Sequence, residues 1–364
     1  MRVETIVQTV DQVCRDDLIT GYCDPKALIG VNAGRKDAFA QNPFLRDGER
    51  DLQLIGHVGR EVVGRLNVFP LEIVADGEVL SAYCGDSLYV RDEYRKTLYG
   101  VVLLDKLNNV SKDRVSLSAG FSPVAQKLIR MLKNTVYPLH RFMQVRRSRA
   151  IFSGCGRMRF LTHFSWLFDA AFALYNWIFR CWIRIALREY ELVEIRQDDN
   201  AAIARFCELV AKDGHRFREN ITPQWVRWVL ENDFHKDWLL AKRLYGYRKD
   251  GEYVAFVMTR CTQEGNARIG KVIEWQSDGL RTPLERKMIL CVMQRELCEL
   301  DCVYISMGEP DAIGMNWANG FLPGLGCHVI SIGMGKGASL RMHDGVDNAA
   351  NWRLRGGMGD LCFS

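Results

Sequence analysis

The chain has 364 residues, 48% of them hydrophobic, enough to bury a sizeable core and long enough for two domains or one large one. Its net charge of +5 comes from 49 basic and 44 acidic residues, a mild excess that suits an anionic ligand but is too weak to argue for nucleic acid, and no DNA partner is expected. Twelve cysteines without a C-x-x-C pair, after a start (MRVETIV) with no apolar leader, predict reduced, mostly buried thiols in a cytoplasmic protein, not disulfides or a zinc site.

In chain order, DLQLIGHVGREVVGRLNVFPLEIV, from Asp51, reads as two strands turning near Gly59 and Arg60. Asp76-Gly77 is a hairpin turn into EVLSAYCGDSLYV. A helix starts near Leu98, and RVSLSAGF follows as a strand. Ser122 and Pro123 have the chemistry of a cap and first residue for the helix PVAQKLIRMLKN, and VYPLHRFMQV closes this half as a strand.

The second half repeats that order with different letters. DDNAAIARFCELVAKDG is a capped helix, and Thr222-Pro223 opens another in TPQWVRWVLEND. Two strands then turn about Lys249-Asp250-Gly251, RIGKVIEWQSD adds a third, and LERKMILCVMQRELCEL forms a helix that carries Cys291 and Cys298 as core residues. CVYISMGEP is a strand, AIGMNWANGFL a short helix, HVISIGMG a last strand, and NWRLRGGMGDLCFS a tail that folds back. Two α+β units in tandem, 1–150 and 189–345, are the simplest account, with a linker at 151–188 and a tail at 346–364.

The linker holds FSWLFDAAFALYNWIFRCWIRIALR. Asp169, Asn176, Arg180 and Arg184 fall on one helical stripe, which a bilayer interior would tolerate poorly. Two readings remain: a helix wedged between the domains, with Trp166, Trp177 and Trp182 packed against protein, or a helix lying in a membrane surface through 164–188. The first is preferred. Upstream, Arg146, Arg147, Arg149, Arg157 and Arg159 form a basic cluster that is either a solvated surface or a match for anionic lipid.

The stretch LYVRDEYRKTLYGVVLLDKL passes from strand through a basic turn into a helix, an arrangement that favours anions because the first helical N–H groups lack intrahelical partners. It resembles the coenzyme A loop of the GNAT acyltransferase superfamily. The resemblance rests on Val90, Glu93, Tyr94 and Arg95 leading through Lys96, Thr97, Leu98 and Tyr99 to Gly100, with residues 101–104 as the buried helix face. Leu98 departs from the pattern where the family has its first glycine. The resemblance implies a three-layer α/β/α protein with a mixed sheet. Acetyl- or another acyl-coenzyme A would be held by Leu88, Tyr89, Val90, Arg95, Lys96, Thr97, Leu98, Tyr99 and Gly100 in the first unit. In the second unit LRTPLERKM lacks such a loop, which implies that this half binds no coenzyme.

By the same resemblance Asp86 is the candidate base that deprotonates an amine acceptor, with a strand-end structural role as its rival. Glu274 on the corresponding second-half strand is expected to be structural, and Ile129 stands where the family often has a proton-donating tyrosine. The seven histidines are scattered, so no metal is expected. The expected activity is acyl transfer to a small-molecule or peptide amine. An aminoacyl-tRNA-dependent transferase of the Fem-like kind and a non-catalytic module with a decayed coenzyme pocket stand as alternatives.

Overall fold

The structure, a computed structural model, describes residues 4–9, 33–45, 51–58, 61–111, 114–119, 129, 132, 134–154, 156–278, 282–324, 328–334 and 344–358. The turn at Gly59 and Arg60, the Ser122-Pro123 helix start and most of that helix lie outside these residues. The first half runs β1 (Glu4–Thr9), α1 (Ala33–Ala40), β2 (Asp51–Val58), β3 (Glu61–Ala75), β4 (Glu78–Val90), α2 (Tyr99–Val110), β5 (Val115–Ala119) and β6 (Thr135–Val145). The short α3 (Ser148–Gly154) and a 3-10 turn (Gly156–Phe164) lead into the long helix α4 (Ser165–Ala186). The second half runs β7 (Glu191–Ile195), α5 (Asn200–Ala211), β8 (Phe217–Glu219), α6 (Pro223–Glu231), β9 (Leu239–Lys249), β10 (Glu252–Glu264) and β11 (Ala267–Ser277). It ends with α7 (Thr282–Glu296), β12 (Cys302–Met307), α8 (Glu309–Ala312), β13 (Leu322–Pro323) and β14 (His328–Met334).

Local chemistry accounts for many boundaries. Asp76 and Gly77 have φ of 49° and 88°, and Asp250 and Gly251 have 52° and 86°. Two successive positive φ values give the turn whose twist matches a hairpin, so β3–β4 and β9–β10 are built by the same device in the two halves. Asp199 caps α5 by accepting from the Ala202 amide at 3.0 Å, and Thr222 caps α6 by accepting from Trp225 at 3.1 Å. The short helix expected over 312–322 is instead α8 plus a 3-10 turn at Trp317–Asn319, because Gly314 (φ 78°) and Gly320 (φ 91°) take left-handed conformations that end each turn.

The strands form one mixed sheet in the order β1-β2-β3-β4-β5-β14-β6-β12-β11-β10-β9-β7. β4 and β5 are parallel, as are β11 and β12. β14, from the end of the chain, lies antiparallel between β5 and β6, while β6, from the first half, pairs with β12 of the second. Each half therefore lends a strand to the other. Both faces of the sheet are covered. Leu66 and Val68 of β3 pack with Leu103, Leu104 and Leu107 of α2, whereas Phe69, Leu71 and Ile73 join a cluster with Phe206 of α5 and Trp225 of α6. In β10, Phe256 and Met258 enter that same cluster while Ala255 and Val257 meet Ile289 and Met293 of α7. Alternate residues pointing to opposite faces make this an α+β fold with helices on both sides.

α4 departs from the sequence expectation. Asp169 faces inward and accepts from the amide (2.6 Å) and hydroxyl (2.8 Å) of Ser148, and Asn176 donates to the Val145 carbonyl at 2.8 Å. Trp166, Trp177 and Trp182 are 66%, 62% and 39% exposed, so they are not packed between domains. Of the stripe, Asp169 and Asn176 bridge neighbouring protein groups while Arg180 and Arg184 are exposed, and most of the large apolar residues of the helix face outward. No helix among the described residues is long and apolar enough to cross a membrane.

The described cysteines form no disulfide with one another. Cys84, Cys261 and Cys302 are buried, but Cys181 and Cys298 are exposed, and Cys298 lies beyond the end of α7 and not in its core face.

Candidate active site

The registered pairing of β4 with β5 covers four residues, Ala82 to Gly85 against Val115 to Ser118. β4 then runs on for five residues to Val90, held on its other edge by β3 through Asn67–Asp86, Arg65–Tyr89 and Gly64–Val90. The described part of β5 ends at Ala119, so β4 from Asp86 to Val90 has no registered partner on that edge among the described residues. Strand amides at such an edge can donate to a carbonyl laid alongside them.

Past Val90 the chain forms a 3-10 turn (Asp92–Tyr94) and enters α2 with Leu98 at its cap. Arg95 is pinned here: its Nε donates to the Val90 carbonyl at 3.0 Å and its guanidinium pairs with Asp92 at 2.9 Å. Thr97 donates to the Tyr94 carbonyl at 2.6 Å and accepts from the Tyr99 amide at 3.3 Å. The amides of Lys96, Leu98 and Gly100 find no acceptor among the described residues, and the first turn of α2 carries no acidic residue. That end of the helix is open and electropositive. Leu98 is 63% exposed, so its side chain leaves the turn for solvent and does not fill the space before the helix.

Tyr99 locks the loop to the sheet. Its ring lies against Gly56 and Gly64, which face each other across β2 and β3. A Cβ at Gly56 would overlap the Tyr99 hydroxyl, and one at Gly64 would come within 2.9 Å of both the ring and the Tyr89 carbonyl. Gly56→Ala is therefore expected to displace Tyr99 and cost about 1–3 kcal/mol, as overpacking does. Urea denaturation checks it, an unchanged midpoint showing that the ring moves freely and does not anchor the loop.

Asp86 is 2% exposed and sits in a buried polar ladder that crosses the sheet. Gln53 donates to Asn67 at 3.0 Å, Asn67 reaches Asp86 at 3.4 Å, and Arg35 of α1 pairs with the same carboxylate oxygen at 3.1 Å. The Arg35 guanidinium also lies over the Phe234 ring, 5.0 Å from its centre. Beside it Asp233 binds Arg260 at 2.7 and 2.9 Å and Lys242 at 3.1 Å. His235, half-buried and stacked on Trp238 at 4.7 Å, has its pKa lowered by burial and then by Arg35 and Arg260, against the opposing pull of Asp233 and Asp86. A neutral imidazole is thereby favoured near Asp86. Arg35 and His235 went unnoticed in the sequence because α1 and the segment after α6 lie far from the loop along the chain.

The loop residues follow directly on the edge residues Leu88, Tyr89 and Val90, with Asp86 two residues earlier on β4. Ile129 is buried in the cluster beneath α2. Among the described residues no three His, Cys, Asp or Glu side chains gather as a metal-binding group.

In the second half the registered pairing of β11 with β12 runs from Ile269–Cys302 to Val272–Ile305, and the strands then part. The returning tail occupies that opening. Gly308 donates to the Leu354 carbonyl at 2.9 Å, and Met307 bridges Arg355. A Cβ at Gly357 would come within 2.3 Å of the Ile273 carbonyl, so the backbone lies directly on β11. Arg353 grips Glu274 with two bonds, 3.0 and 2.7 Å, and donates to the Trp275 carbonyl at 2.7 Å. Asp213 lies 3.3 Å from its Nε.

The mixed sheet with helices on both faces has a GNAT-like fold. Among solved structures the chain resembles Saccharomyces cerevisiae N-myristoyltransferase with bound myristoyl-CoA. One such structure matches with TM-score 0.55 and 10% identity over 91% of this chain and 82% of that one, and another with 0.57 and 11% over 91% and 78%. A GCN5-related N-acetyltransferase from Anabaena variabilis matches with 0.50 and 11% over 91% and 72%. No protein-family model and no curated protein matches the sequence.

Proposed function

We propose that the chain is an N-acyltransferase that binds an acyl-coenzyme A in its first half and passes the acyl group to an amine. The observation that carries this reading is the run of β4 past its registered pairing with β5, leading directly to the open amides at the start of α2. The thioester carbonyl lies along β4 and takes hydrogen bonds from its edge. The diphosphate meets the amides of Lys96, Leu98 and Gly100, with Arg95 and Lys96 supplying whole charges. Asp86 is the residue proposed to take the proton from the incoming amine, directly or through one water. The N-myristoyltransferase neighbours hold a long acyl chain, which favours a long-chain donor here.

Thermal unfolding with acetyl-coenzyme A, myristoyl-coenzyme A and free coenzyme A tests the site. A ligand present at a hundredfold its Kd stabilises by about 2.7 kcal/mol. Gly100→Val and Arg95→Glu are expected to abolish that shift while leaving the unliganded transition in place. Equal affinity of wild type and both variants by titration calorimetry places the coenzyme elsewhere.

A further inference from the structure

We infer that the outward face of α4 is a docking surface for an anionic lipid bilayer, on which the helix lies flat. A surface helix ordinarily turns its polar side to water and its apolar side to the core. α4 departs from this: it buries Ile183 and packs Phe179 on the core, but it also turns polar groups inward and large apolar ones outward. Asp169 and Asn176 point into the protein, and Trp166, Leu174, Trp177, Ile178 and Ile185 are exposed along its length, continued by Phe160 and Phe164 of the preceding turn. Over 22 residues the face extends for about 33 Å at 1.5 Å per residue, a contiguous apolar strip far larger than scattered surface side chains produce. On the flank Tyr175 donates to the Trp317 carbonyl at 2.8 Å, which sets another exposed tryptophan beside the strip.

The charge around the strip selects the occupant. Arg149 and Arg159 are exposed near its N-terminal end, where α3 meets α4 through Phe152 and Phe168, and Arg184 and Arg188 are exposed at the other. None of these four has a carboxylate partner among the described residues. Beside the C-terminal end is a cleft of about 450 Å³ lined by Arg180, Arg184, Arg188 and Arg295 against Ile183 and Leu187, with the size and charge to take a phosphate-bearing headgroup. Lys287 lies 4.4 Å from the centre of the Trp182 ring and adds a cation on the side.

A second copy of the chain fits this face less well. A two-fold contact brings the same patch from both copies together, and with arginines at both ends the basic groups meet in either helix orientation. An anionic lipid surface meets all of them at once. Tryptophans at headgroup depth and arginines reaching phosphates are the chemistry of a helix that lies in an interface without crossing it.

Sedimentation of the full chain with vesicles tests this inference, using phosphatidylcholine alone and phosphatidylcholine mixed with phosphatidylserine. Wild type is expected to sediment with the mixed vesicles, with a blue shift of tryptophan emission, and to partition at least about tenfold more weakly onto phosphatidylcholine. Leu174→Gln combined with Trp177→Gln, both exposed, should remove sedimentation without lowering the melting temperature. Each basic residue near an anionic surface is worth roughly fivefold in partition. Arg184→Glu with Arg188→Glu should therefore weaken binding to mixed vesicles by about twentyfold or more and leave binding to phosphatidylcholine unchanged. Wild type remaining in the supernatant with both vesicles overturns the inference, as does sedimentation of the glutamine variant at the wild-type level. A dimer that forms without vesicles and is lost in the glutamine variant would assign the face to a second copy instead.

Discussion

Arg353→Leu is expected to destabilise the protein by about 3–5 kcal/mol, the largest effect on folding of any single substitution considered for this chain. Arg353 is 2% exposed and spans Glu274, the Trp275 carbonyl and Asp213. Leucine would fill some of the volume but leave Glu274, itself 5% exposed, without its two-pronged partner; Arg355 reaches it only at 3.9 Å. A buried carboxylate stripped of its cation carries the full cost of desolvation. Guanidinium denaturation measures the loss. The double variant Arg353→Leu with Glu274→Leu should recover a large part of it, since removing both charges removes the stranded one. A midpoint unchanged by Arg353→Leu would show that the tail does not hold the second unit closed.

The cluster also gives a sign for acid sensitivity. Burial alone would raise the Asp213 pKa, but the hydrogen bond to His215 and the charge of Arg353 hold it well below the usual carboxylate range. A depressed folded pKa contributes stability that is present above the unfolded value of about 3.9 and is lost as pH falls below it. Asp213→Asn should therefore flatten the decline in stability on the acid side and lower stability near neutrality.

Asp86→Asn is expected to lower turnover by roughly a hundredfold or more, with acyl-coenzyme A affinity little changed, as for loss of general-base help. Asparagine keeps an oxygen that can accept from Arg35, so the ladder through Gln53 and Asn67 should survive and the fold with it. Because Arg35 already engages the carboxylate and His235 lies close by, the comparison needs His235→Gln as well. The expected outcome is a large loss for Asp86→Asn and a small one for His235→Gln, with a panel of amines and peptide N-termini as acceptors. The reverse order would make the imidazole the base and Asp86 a positioning residue. The pH–rate profile separates the two cases, because an imidazole base adds its own loss of activity as pH falls below the ordinary imidazole range to the loss from protonating the acceptor amine.

Features written in short stretches of sequence were legible. The Asp-Gly hairpins, the Thr222 and Asp199 caps and the strand-turn-helix at 88–100 each depend on a few neighbouring residues and appear where expected. What could not be read depends on partners distant in the chain. A strand of alternating apolar residues reads the same whichever strand lies beside it, so the lending of β6 and β14 between halves left no local trace. The spacing of Asp169, Asn176 and Arg180 defined a stripe on α4 but not which side the protein covers. Arg35 beside Asp86 and Arg353 on Glu274 are pairs 51 and 79 residues apart, and nothing near any of the four announces the other.

The placement of β14 between β5 and β6 has a consequence for how the protein is made. A ribosome delivers β5 and β6 more than 180 residues before the strand that joins them. In that interval both carry an unsatisfied edge of backbone donors and acceptors, and the first half cannot close on itself. Completion waits for a pairing of very long sequence separation, which slows folding and makes it a single late event instead of two successive ones. Nascent chains stalled before residue 328 should therefore stay protease-sensitive throughout and bind holdase chaperones, and release of the last strand should protect both halves together.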